Sequence, residues 1–137
     1  MIKTKKIFFS IVILIGVVMV GIFAFSPETK SSTLQDNGMT MAEFNKRISS
    51  KETPVLVYFH ASWCAVCAKL NPVINEFELE NKDKLEVLRI ETTKDKEIAE
   101  EMEIDGLPVL MFYKNGNRQW IHVGAIQKDN LKEKIGL

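Results

Sequence analysis

Val55-Leu56-Val57-Tyr58-Phe59 follows Pro54 as five apolar or aromatic residues with no charge and no turn residue among them. A strand with one wet face would alternate, so the unbroken run reads as a strand covered on both faces and therefore central in its sheet. The remaining segments have to supply the layers that cover it.

Those segments are legible on either side. Thr40 with Glu43 forms a capping box, and Met41, Phe44 and Ile48 recur at helical spacing up to about Ser50. After the central strand, Val66, Leu70, Val73 and Phe77 mark the inward side of a second helix, with Cys67 and Ile74 on its adjoining edge. Pro72 lies inside that helix, where it deprives the Ala68 carbonyl of its partner and predicts a kink. A strand is predicted over Leu85 to Glu91, then a short helix from Thr92 or Thr93 to Met102, ended by Asp105-Gly106. Val109 to Tyr113 is a further strand, Asn115-Gly116 a hairpin turn, and Trp120 to Val123 the antiparallel return. Leu131 and Ile135 mark a last helix, stopped by Gly136. The order is α-β-α-β-α-β-β-α, an α/β chain with a mixed sheet, in which helical connections imply parallel strands and the hairpin an antiparallel pair.

Upstream of this pattern stands something different. Ile7 to Phe25 is 19 residues without a charge, preceded by Lys3, Lys5 and Lys6. As a helix it would reach about 28 Å, close to a bilayer core, and it reads as a transmembrane anchor or a secretory signal. The lysines place the N-terminus in the cytoplasm and the remainder outside. The chain therefore divides into a lysine-rich start (1–6), the anchor or signal (7–25), a polar linker (26–38) and one domain (39–137).

With 137 residues there is no room for a second sizeable core. The 18 basic and 18 acidic residues cancel, and residues 31–137 carry 14 against 17, a net −3, which disfavours nucleic acid as a partner. Two cysteines cannot form a disulfide scaffold.

Both cysteines lie in Trp63-Cys64-Ala65-Val66-Cys67, where the central strand feeds the kinked helix. At a helix start, a spacing of three puts them on one side, within disulfide reach. Unpaired N–H groups and the helix dipole favour an anion at Cys64, making it the nucleophile, whereas Cys67 lies a turn inside. Cys64 can then attack a substrate disulfide and Cys67 resolve the mixed disulfide, or the steps run backwards to oxidise a dithiol. Two other readings share the motif. Half a zinc site would need two more ligands, for which only His60 and His122 are offered besides carboxylates; a purely structural disulfide would close too small a loop to stabilise much.

In its order of strand, Trp-Cys-x-x-Cys, Pro72 and Gly106-Leu107-Pro108 before Val109 to Gly116, with Val123-Gly124-Ala125 beyond, the chain resembles the thioredoxin superfamily from about Met41 to Leu137. The resemblance implies a three-layer sandwich, a cis Leu107-Pro108 bond facing the cysteines, and a substrate surface of Trp63, Leu107 and Pro108 on which an extended segment pairs with main chain. It also isolates departures. Tyr58 stands where common thioredoxins bury an Asp that moves the proton of the second cysteine, so that proton needs another route. Ala65-Val66 replaces Gly-Pro between the cysteines, which leaves the direction of electron flow open. His60 takes a place usually aromatic, either lowering the Cys64 pKa or simply ending the strand. Arg89 matches a lysine of the neighbouring strand and, without the acid, faces a different partner or solvent. Trp120 and His122 read as packing and surface residues, and Glu97, Glu100, Glu101 and Glu103 as a solvated face.

The function expected is that of an anchored, extracytoplasmic thiol-disulfide oxidoreductase, more a reductase of exported protein disulfides than an oxidase. Its only redox group would be the Cys64-Cys67 pair, with no metal. Its partners would be exported thiols or disulfides, apocytochrome c cysteines among them, and a membrane electron donor; cleavage of the first segment would leave it secreted or periplasmic. A non-catalytic binding module or holdase, and a metallochaperone using the thiols and a histidine, are the alternatives from other classes.

Overall fold

Residues 38–137 are described by the computed structural model; the apolar run Ile7 to Phe25 and the linker before Gly38 lie outside them. The elements are α1 (Met41–Ile48), β1 (Val55–His60), α2 (Ala65–Asn81), β2 (Glu86–Glu91), α3 (Lys96–Glu101), β3 (Val109–Lys114), β4 (Asn117–Val123) and α4 (Lys128–Ile135). Among the described residues no helix is long and apolar enough to cross a membrane.

Val55 to Phe59 of β1 are all buried, and the strand lies inside a sheet of order β2-β1-β3-β4. Because successive side chains point to opposite faces, Leu56 and Tyr58, with Leu110 and Phe112 of β3, meet Leu70, Ile74 and Phe77 of α2 and Leu131 of α4. Val55, Val57 and Phe59, with Val109, Met111 and Tyr113, meet Phe44 of α1 and Ile98 of α3 on the other side. Two apolar clusters separated by one sheet make the three layers.

β2 runs parallel to β1, but β3 is antiparallel to it although a helix connects β2 to β3. The expectation of parallel strands across helical connections fails there. The six-residue α3, about 9 Å long, does not itself carry the chain back along the sheet, and the segment after it enters β3 at the end where β2 stopped, so β3 runs back. Asn115 and Gly116, both at positive φ (55° and 77°), then turn it into β4 as the hairpin signal requires.

A second correction concerns α2. Its inner stripe is Cys67, Leu70, Ile74, Phe77 and Asn81, while Val66 is 44% exposed and Val73 only partly buried. The helix begins at Ala65 with Cys64 as its N-cap, and turning Cys67 inward sets a rotation that carries Val66 outward. The helix continues through Pro72.

Polar ties hold the periphery. The Thr40 hydroxyl caps α1 by accepting the Glu43 N–H at 3.2 Å. Asp95 precedes α3 without capping it; its carboxylate instead accepts the Met39 N–H at 2.5 Å and the Glu91 N–H at 3.0 Å, fastening the start of the folded chain to the loop after β2. Lys128 of α4 bridges Glu76 and Glu80 of α2 at 2.5 and 2.6 Å, and Lys132 also contacts Glu80.

Candidate active site

The parallel pairing of β1 with β2 and the reversal of β3 gather three chain turns at one end of the sheet: the cysteine turn after His60, the Asp95 turn after β2, and Leu107-Pro108 before β3. The turn after β1 is held by the Cys64 N–H donating to the Ala61 carbonyl at 3.1 Å. Cys64, in extended conformation, is the N-cap of α2, and its sulfur accepts the Cys67 N–H at 3.1 Å. In a reduced molecule that N–H and the helix start would favour a thiolate at the same sulfur.

Cys64 and Cys67 are joined as a disulfide, with Cα atoms 5.2 Å apart. Cys64 is 7% exposed and Cys67 1%, so the second sulfur is the more enclosed. Around them lie Trp63, 71% exposed, and Leu107, half-buried and packed on the cluster that contains both cysteines. Leu107-Pro108 is cis; Pro108 is buried and its carbonyl accepts the Gly124 N–H at 2.8 Å.

The residues beneath the pair form a polar seam between α2 and β2. Tyr58 is fully buried, and its hydroxyl lies 2.9 Å from Asn71 Oδ1 and 3.3 Å from the Cys67 carbonyl. His60, on the same face of β1, stacks on the Tyr58 ring with centroids 5.0 Å apart, and its Nδ1 is 3.7 Å from Glu91 Oε2. Burial lowers the His60 pKa, with Glu91 opposing and Arg89 assisting. Arg89, opposite Tyr58 in the parallel ladder, donates to Glu78 at 2.6 Å and Asn75 at 2.8 Å, so its partners are on α2 rather than in solvent. Trp120 and His122 stack on each other at 5.5 Å on β4, with His122 Nε2 3.2 Å from the Ala125 carbonyl.

Asn71 is the residue that sequence reasoning missed. Its place one helical turn after Cys67 was a usable signal, since residues four apart share a side of the helix. What that side faces, the Tyr58 hydroxyl, is not encoded in local spacing.

A buried central strand leading to a helix capped by one sulfur of a Cys-x-x-Cys disulfide defines a dithiol-disulfide exchange protein of α/β architecture. The Thioredoxin family model matches residues 36–136. Thioredoxin of Rickettsia felis is 35% identical over 99 residues, covering 72% of this chain and 94% of that protein. A thioredoxin-like protein of Synechocystis sp. is 37% identical over 97 residues, or 71% and 89%. Thioredoxin Y, chloroplastic, of rice (Oryza sativa subsp. japonica) is 32% identical over 114 residues, or 82% and 68%. The chain belongs to the thioredoxin family and is a thioredoxin-like disulfide oxidoreductase.

Proposed function

We propose that the protein acts outside the cytoplasm, tethered by its N-terminal segment, as a reductase of disulfides in exported proteins, with apocytochrome c cysteines among its substrates and a membrane protein as its electron donor. The observation that carries the redox chemistry is the Cys64-Cys67 disulfide at the start of α2, with the Cys64 sulfur at the helix cap. In the reduced protein the Cys64 thiolate attacks a substrate disulfide, forming a mixed disulfide and releasing one substrate thiolate. The Cys67 thiol loses its proton and attacks the Cys64 sulfur. The second substrate sulfur leaves, both substrate thiolates take up protons, and two electrons have passed from the dithiol to the substrate. Trp63, Leu107 and Pro108 supply the surface on which the substrate segment lies.

Export is supported by the uncharged run behind three lysines, and by a chain with no thiol beyond the active pair to be trapped in a wrong disulfide. Two measurements test the reading. Equilibration of the detergent-solubilised full chain with defined dithiol buffers should give a potential near the roughly −270 mV of a reductase; a value near roughly −120 mV would make it an oxidant of dithiols. In intact cells, an impermeant maleimide should label Cys64 after mild reduction, and labelling only after lysis would overturn the extracytoplasmic placement.

A further inference from the structure

The second cysteine has an unusual support. Pro72 has no N–H, so the Ala68 carbonyl, one residue past Cys67, lacks its helical partner and the first turn of α2 is short of one rung. From the side, the Tyr58 hydroxyl lies within hydrogen-bond distance of two acceptors of α2, the Cys67 carbonyl in that turn at 3.3 Å and Asn71 Oδ1 one turn on at 2.9 Å, and its single O–H donates to one of them at a time. Tyr58 belongs to the most enclosed strand of the sheet and is itself 0% exposed, so its ring cannot shift without opening the core.

We propose that Tyr58 is a positioning residue of the resolving step: its hydroxyl ties the turn carrying Cys67 to β1 and keeps the Cys67 sulfur aligned with the Cys64 sulfur. The proposal rests on the oxidoreductase reading and deepens it. In the resolving step the Cys67 thiol gives up its proton to solvent, its sulfur forms a bond to the Cys64 sulfur, and the bond from Cys64 to the outgoing sulfur breaks with the electron pair leaving on that sulfur. Such a displacement depends on alignment, and a loosened turn spends less time near the attack geometry. Burial raises the Tyr58 pKa against the pull of Arg89, so the hydroxyl stays a neutral donor while thiols ionise; His60, stacked on its ring, is the other titratable neighbour.

The test mixes the reduced full chain with 5,5′-dithiobis(2-nitrobenzoate) in a stopped-flow instrument. The first thionitrobenzoate released reports attack by Cys64, and the second reports displacement by Cys67. Tyr58→Phe keeps the ring and removes the hydroxyl. It should leave the first phase within twofold of the parent and slow the second about tenfold, the effect of losing one buried hydrogen bond's worth of alignment. Asn71→Ala, at an exposed position, should slow the second phase about threefold and reads the same contact if Tyr58→Phe does not fold. A second phase unchanged in the variants that fold, or both phases slowed by one common factor, overturns the positioning role. A parent protein that releases no second thionitrobenzoate overturns the oxidoreductase reading itself.

Discussion

Asp95 offers the sharpest test of how the folded unit is closed. Its carboxylate accepts the N–H of Met39 at one oxygen and of Glu91 at the other, and 9% of the residue is exposed. A hydrogen bond to a charged group is worth about 1.5–3 kcal/mol, and both bonds are only partly buried, so Asp95→Ala should cost about 2–3 kcal/mol. Asp95→Asn keeps one carbonyl acceptor and should cost about half as much. With a urea slope of about 1.2 kcal/mol/M for a unit of this size, the Ala variant's midpoint falls by about 2 M. Gly38 probes the same place independently, because a Cβ there would lie 1.9 Å from Asp95 Oδ1 and 3.0 Å from the Lys94 carbonyl carbon. Gly38→Ala should therefore destabilise the parent, and do so less in the Asp95→Ala background, where the nearest obstructing atom is gone. The double variant should be more stable than additivity predicts by about 1 kcal/mol. The assay is equilibrium urea unfolding of the full chain by circular dichroism, in low and high salt, since bonds to backbone N–H groups should resist screening more than surface ion pairs do. A midpoint shift below about 0.3 M for Asp95→Ala, or strict additivity in the cycle, would refute the reasoning.

Cys67→Ser should retain attack by Cys64 but accumulate the mixed disulfide with a protein substrate, visible on non-reducing gels, whereas Cys64→Ser should form none; equal trapping by both would reverse the assigned roles. Burial keeps His60 below its ordinary 6.5, so folding favours the neutral ring; the resulting stability is full above that value and is lost as pH falls through the folded one. His60→Gln should flatten the decline of unfolding free energy between about pH 7 and 5, and an unchanged slope would count against the buried imidazole. Hydrogen bonds from Lys128 and Lys132 bring the Glu80 carboxyl from 4.5 down to about 2, so its stabilising effect is present above 4.5 and fades as pH falls toward 2. The site is on the surface and screened by salt; an NMR titration should find the low midpoint, and Lys128→Met should raise it, failing which the α2–α4 clamp does not persist in solution.

Much of the fold was legible because its signals are local. The Val55 to Phe59 run announced a central strand, Thr40 with Glu43 a helix start, and Asn115-Gly116 a hairpin, each by the conformations those residues prefer. The chemistry was legible for the same reason: two cysteines three apart at a helix start can hardly avoid each other. The inward side of α2 differs from its spacing at Val66, while Val73 packs at the margin of the core, because a helix whose apolar residues nearly encircle one end has no unique phase until its cap is known.

What only the tertiary structure decided involves partners distant in the chain. The direction of β3 is set by the end of the sheet at which the chain re-enters it after α3, the service of Asp95 to Met39 spans 56 residues, and the seam of Tyr58, Asn71, His60 and Arg89 joins β1, α2 and β2. Spacing along the chain reports conformational preference and periodicity, which are properties of neighbours. Which buried hydroxyl meets which carbonyl depends on how layers pack, and it is there that the environment of Cys67 is set.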